Sequence, residues 1–256
     1  MIQAYVFWHE PAAGVSAGAY EAALRAFHER LGAARPSGLL HSVAYRTDDA
    51  PWPREPDDGA DAAAVGADAS GGVETVAAYE DWYLIVDTAS LDAIEAAATA
   101  PAAGPSHDSV ARMAGRGAGG LYRLLDDERS RSAISLSGSI DASGMRPGAI
   151  DATDRDSAGG AGGAGGAGRA AGAAGADTCV WLDRPQGLST ADAVGALRAA
   201  IPAAAVWQRR LVLGPMAEFA VWTAGDESAE PPPGWTARPV RRTRITATPG
   251  FHAHAG

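Results

Sequence analysis

Residues 79–86 read YEDWYLIV, the densest run of aromatic and branched residues in the chain. A segment this short and this rich in Tyr, Trp, Leu, Ile and Val is predicted to be a β-strand. Side chains alternate along a strand, so Tyr79, Asp81, Tyr83 and Ile85 share one face, while Glu80, Trp82, Leu84 and Val86 share the other. Both faces carry large apolar groups. A sheet with one wet face would alternate cleanly, so this strand is predicted to lie in a sheet covered on both sides. The opening segment, Ile2 to Trp8, has the same two-faced character.

Working back from this strand, Leu39 to Arg46 reads as another strand. Ser16 reads as the cap of a helix carrying Tyr20, Leu24, Phe27 and Leu31 at helical spacing. Forward of it come two helical segments, Ser90 to Thr99 and Pro105 to about Gly115, and a closing strand, Gly119 to Leu125. The order over 1–125 is β-α-β-β-α-β, the split βαβ pattern. Thr47 to Ala78 is a long acidic loop read as flexible or as a lid, with Trp52 its one large apolar group. Residues 126–177, ending in GGAGGAGGAGRAAGAAG, lack the apolar area to offset chain entropy and read as a disordered linker.

The pattern then restarts over 178–248. Strands are predicted at Thr178 to Asp183, Val206 to Leu213, Met216 to Thr223 and Thr236 to Thr246, with a helix at Ser189 to Ala200. Residues 249–256 form a tail. An offset of 173 residues (181 − 8) lays Trp8 on Trp181, Glu10 on Asp183, Gly14 on Gly187, Ser16 on Ser189 and Leu24-Arg25 on Leu197-Arg198. It reads as a duplication. Between Thr223 and Thr236, Pro231-Pro232-Pro233 leaves no room for a second helix in this half.

In element order, this arrangement resembles the dimeric α+β barrel superfamily, whose subunits are ferredoxin-like and pair sheet to sheet. The resemblance covers residues 1–125 and 178–248. It implies an α+β fold in which two ferredoxin-like halves with antiparallel sheets pack against each other within one chain, the second half lacking its second helix. It further implies a small-molecule enzyme of oxygenase or isomerase type, or a non-catalytic ligand-binding or assembly protein. Haem is a cofactor the resemblance admits, although no motif here supports it. The expected partner is a small-molecule ligand, and the expected state is a monomer or homodimer.

A formal charge of −10 argues against a nucleic-acid surface. Arg238, Arg241, Arg242 and Arg244 are read as a solvated or edge-strand face. Cys179 is the sole cysteine, which rules out an internal disulfide. The opening MIQAYVFWHEP shows neither a basic n-region nor a cleavage site, and no apolar run approaches the ~20 residues of a membrane span. A cytoplasmic, membrane-free protein is the expectation.

His107 is the candidate catalytic residue. It stands at a helix start beside Asp108, where a neutral imidazole suits a general base or a metal or haem ligand. His41, Trp82, Tyr83 and Trp8 are the candidate ligand-binding set, an aromatic pocket for a flat molecule placed in the first half. A plain aromatic core is the competing reading. His9 and His28 read as surface groups, Glu80-Asp81 as solvated carboxylates, and His252 and His254 as tail residues. No metal site is expected. The glycines of 115–120 do not form a nucleotide loop, because they precede a strand and no Lys-Ser/Thr follows.

Overall fold

The computed structural model describes residues 2–48, 77–100, 106–125, 176–202, 204–212, 216–223 and 230–247. The long loop, most of the Gly/Ala segment and the tail expected above, with Trp52, His252 and His254, lie outside them. Strand β1 spans Gln3–Pro11, helix α1 Ala17–Ala34, β2 Leu39–Thr47 and β3 Ala78–Ile85. Helices α2, Ser90–Thr99, and α3, Ser106–Met113, precede β4, Ala114–Leu124. After the Gly/Ala segment come β5, Ala176–Asp183, helix α4, Thr190–Ala200, β6, Ala205–Val212, β7, Phe219–Thr223, and β8, Thr236–Ala247.

Local chemistry sets the two helix starts in the same way. Ser16 is extended and its side chain accepts from the Ala19 N–H at 3.3 Å; Ser189 does the same for Asp192 at 3.1 Å. Gly14 and Gly187 precede these caps in left-handed backbone, with φ of 84° and 88°. Leu24 and Leu197 then bury fully against the strands. The glycine, serine and leucine positions matched by the 173-residue offset thus take the same local role twice, whereas Arg25 pairs with Glu21 and Arg198 donates to the carbonyls of Ala204 and Leu125.

The strands close into one antiparallel barrel in the order β1-β3-β2-β8-β5-β7-β6-β4. This corrects the expected fold class. The protein is not two ferredoxin-like halves packed sheet to sheet as an intrachain dimeric α+β barrel; its described residues form a single eight-stranded barrel with four helices outside. Strand β2 pairs with β8, from Val43 opposite Ala247 to Thr47 opposite Arg242, and β4 pairs with β6, from Gly120 opposite Val212 to Leu124 opposite Trp207. These two seams use up the edges that separate sheets would leave open, and closure removes edges altogether. Side-chain parity reports which way a residue faces, not which strand lies beside it, so the seams were invisible in the pattern. Strand β8 is consequently no edge, and Arg242, expected to be solvated, is buried.

Closure also explains the two-faced strands. Their inner residues fill the barrel, where Trp8, Trp82, Trp181, Trp207, Trp222 and Tyr122 form one aromatic cluster. Trp82 and Trp222 lie edge-on with centroids 4.5 Å apart, and Trp8 meets Trp181 at 5.0 Å. Within this cluster the Glu80 carboxylate accepts the indole N–H groups of Trp82 at 3.0 Å and Trp181 at 3.1 Å, and faces Arg242 at 3.6 Å. The guanidinium lies 4.4 Å from the ring centre of Tyr45 and 4.8 Å from that of Trp222. Burial pushes the Glu80 carboxyl above its usual range, opposed by Arg242 and the two indoles. The outer faces are covered by α1, α2 and α3 over the first strands. Helix α4 packs Leu197 with Leu182, Val206 and Val221 over the others.

Removing either partner of this buried pair strands the other charge in the barrel. Glu80→Gln and Arg242→Met should each cost about 3–5 kcal/mol in urea unfolding, and the double variant less than their sum. Additive losses would show that the two groups are not coupled.

Candidate functional site

Between the outer face of the barrel and helices α1–α3 lies a cavity of about 630 Å³. Strand alternation supplies its floor. Tyr5, Phe7 and His9 point outward from β1, and Asp81 and Tyr83 from β3, while α2 and α3 add Ile94, Ala98 and Val110 to the walls. The glycines of β4 make room for these rings. A Cβ at Gly117 would lie 2.7 Å from Phe7 Cζ, and one at Gly119 would lie 2.5 Å from the Tyr5 hydroxyl. Only strand residues without side chains let both rings lie flat across β4.

One wall is polar. The Tyr20 hydroxyl lies 2.7 Å from His9 Nδ1, and His9 Nε2 lies 3.4 Å from Asp81 Oδ2. The other oxygen, Oδ1, faces His28 Nε2 at 3.5 Å, and His28 Nδ1 contacts the Ser42 hydroxyl at 3.0 Å. Tyr83 donates to Asp81 Oδ2 at 3.3 Å. His9, His28 and Asp81 are 1%, 0% and 3% exposed. An ionised Asp81 accepts only, so each imidazole turns its Nε2–H toward it and leaves Nδ1 to accept from a hydroxyl. The result is a hydroxyl–imidazole–carboxylate–imidazole–hydroxyl chain running from Tyr20 to Ser42.

Ring stacking holds both imidazoles. His9 lies on Tyr79 with centroids 5.7 Å apart and planes 8° from parallel, and His28 lies on Tyr83 at 5.6 Å and 10°. Burial would raise the Asp81 carboxyl, yet the charges and hydrogen bonds of His9 and His28 together outweigh it and hold the group well below the usual carboxylate range. Burial and the neighbouring Asp81 push the Tyr20 and Tyr83 phenols up, and burial with Glu21 pushes Tyr79 up to about 12.

The structure divides the predicted residues between two places. Tyr83 and His107 line the cavity. The His107 side chain is 46% exposed, with Nδ1 3.5 Å from Asp108 and its ring 6.0 Å from Phe27, so it marks the mouth. Trp8 and Trp82 point into the barrel instead, and buried His41 shares the parity of Val43 and Tyr45 there; none of the three lines the cavity. The polar wall comes from residues read as surface or solvated. A signal for it existed. His28 falls four residues after Leu24 and eight after Tyr20, on the apolar stripe of α1, while His9 continues the outward parity of Tyr5 and Phe7.

Among the described residues no group of three or more His, Cys, Asp or Glu is placed to hold a metal ion. His9 and His107 are the two histidines lining the cavity; His9 Nδ1 meets the Tyr20 hydroxyl and its Nε2 faces Asp81. A haem here could draw its iron ligand from His107 or from a lining tyrosine, and none of these side chains is set apart for that role. No helix of the described residues is long and apolar enough to cross a membrane.

No protein-family model and no curated protein matches this chain. A solved structure, described as a crystal structure study of an anthrone oxidase-like protein, is similar over 100% of this chain and 96% of its own length. Its TM-score is 0.45 and its sequence identity 10%. A likeness this distant carries no functional argument, and the site has to speak through its own geometry.

Five of the six tyrosines, Tyr5, Tyr20, Tyr79, Tyr83 and Tyr122, have phenols raised above their usual value, burial being the first cause in each. A phenol that ionises less readily when folded stabilises the fold below about pH 10, and that stability is lost as pH climbs through the folded value. Phenolate absorbance should therefore stay low at pH 10 and rise together with alkaline unfolding between about pH 10 and 12. Smooth titration of most tyrosines near pH 10, with circular dichroism unchanged, would contradict the buried placement.

Proposed function

We propose that this protein is an enzyme that moves a proton on a small, flat, largely apolar molecule. The observation that carries the reading is the Tyr20–His9–Asp81 chain set in the wall of an aromatic cavity. A volume of about 630 Å³ falls in the range that encloses a drug-sized ligand. Rings such as those of Tyr5, Phe7, Phe27 and Tyr83 favour a planar, ring-bearing substrate.

The chain has the logic of a hydroxyl–histidine–carboxylate triad. Tyr20 Oη takes a proton from an acidic C–H or O–H of the substrate as its own proton passes to His9 Nδ1. His9 becomes an imidazolium facing the Asp81 carboxylate, and the substrate becomes an anion; charge balances without an oxidant. Return of the proton to another carbon completes an isomerisation. The 3.4 Å His9–Asp81 contact is long for a hydrogen bond, as catalytic contacts often are before substrate binds. Apolar walls strengthen the imidazolium–carboxylate attraction by keeping water away.

The measurement is hydrogen–deuterium exchange, followed by proton NMR, for a panel of planar aryl ketones and phenols incubated with the protein in D₂O. The protein should accelerate exchange of an acidic C–H. Tyr20→Phe and His9→Gln should lower that rate by about 10²- to 10⁴-fold while leaving binding nearly intact. Binding without exchange in the unaltered protein would turn the reading to a non-catalytic ligand carrier.

A further inference from the structure

His28 takes no part in the proton path above, does not line the cavity, and is fully buried. A buried imidazole in such a place requires a reason, because an apolar residue on this stripe of α1 would pack at no desolvation cost. Its contacts give one. Each oxygen of Asp81 faces one imidazole: Oδ2 faces His9 at 3.4 Å and Oδ1 faces His28 at 3.5 Å. Ser42 fixes the far nitrogen of His28 at 3.0 Å, as Tyr20 fixes that of His9 at 2.7 Å. The two arms are alike in chemistry and differ in access: Tyr20 lines the cavity, Ser42 does not.

We propose that His28 is a positioning residue that, by claiming one oxygen of Asp81 and being locked by Ser42, sets the orientation and proton affinity of the His9–Tyr20 pair. The inference rests on the proton-transfer reading of the site. A carboxylate shared between two N–H donors gives less of its charge to either one. His28 therefore draws on the charge that Asp81 offers His9, and the Ser42 hydroxyl at 3.0 Å keeps the His28 ring turned toward Asp81. The other ionisable groups packed around the pair are Tyr79 and Tyr83 on β3 and Tyr20 on α1, all held neutral below about pH 10 by their raised phenols. Glu21 and Arg46 stand next, bound to one another at 3.3 Å. Glu10, the next residue of β1, is bound to Arg116 of β4 at 3.0 Å.

The experiment follows the His9 ring by ¹⁵N NMR across pH in the full chain, with thermal unfolding as a check on folding. In His28→Phe, which keeps a flat ring but no donor, the His9 signals should titrate about one pH unit higher than in the unaltered protein. His28→Gln, which keeps a donor, should return most of that change. Ser42→Ala, a milder variant that leaves both imidazoles in place, should move the titration in the same direction by a smaller step. His9 titration that is the same in all four proteins, or displaced equally by Phe and Gln, overturns the proposal. If the His9 signals shift as described in a protein that exchanges no substrate proton, the coupling stands and the enzymatic reading falls.

Discussion

Two consecutive carboxylates on β3, Glu80 and Asp81, are both withdrawn from water, and the strand's two-residue period sends them to opposite sides of the barrel wall. A buried carboxylate is tolerable only where donors converge on it. The inner one gathers Trp82, Trp181 from β5 and Arg242 from β8; the outer one gathers His9 from β1, His28 from α1 and Tyr83. Satisfying this dipeptide thus requires both halves of the chain on one side and a helix on the other. The core and the site are built around the two faces of one strand.

The two groups respond in opposite directions. Burial dominates at Glu80, whose carboxyl is raised despite one guanidinium and two indoles. At Asp81 the two imidazoles together prevail and the carboxyl is lowered. The difference lies in what surrounds them. The barrel interior is packed with indole rings and serves cohesion, whereas the outer face adjoins a cavity and sets its carboxylate between two imidazoles. A pocket can therefore sit beside this barrel without weakening it.

Much of the element order was legible, because Ser16 and Ser189 carry capping chemistry and YEDWYLIV carries strand chemistry in a few adjacent residues. The barrel was not. Its seams join β2 to β8 and β4 to β6, and nothing local in LLHSVAYRT names ARPVRRTRITA as its neighbour. Of the site, Tyr83 and His107 were singled out and do line the cavity. Trp8, Trp82 and His41 were assigned to it although their parity sends them inward. His9, His28 and Asp81 were set aside as wet, since polar residue types read as exposed unless their partners are known, and those partners come from four different elements, β1, α1, β2 and β3. Their positions on an apolar stripe and an aromatic strand face were the usable signal.

Closure has a kinetic side as well. The β2–β8 seam sets Val43 opposite Ala247, 204 positions away (247 − 43), and the β4–β6 seam joins Gly120 to Val212. Chains dominated by such distant pairings fold slowly, since the entropy of bringing the ends together is lost before the contacts reward it. Until the last seam forms, β2 and β4 hold unpaired backbone edges open to any other strand in the cell. A newly made chain with the first four strands in place and the rest still to come is, in this respect, a different and stickier object than the finished protein.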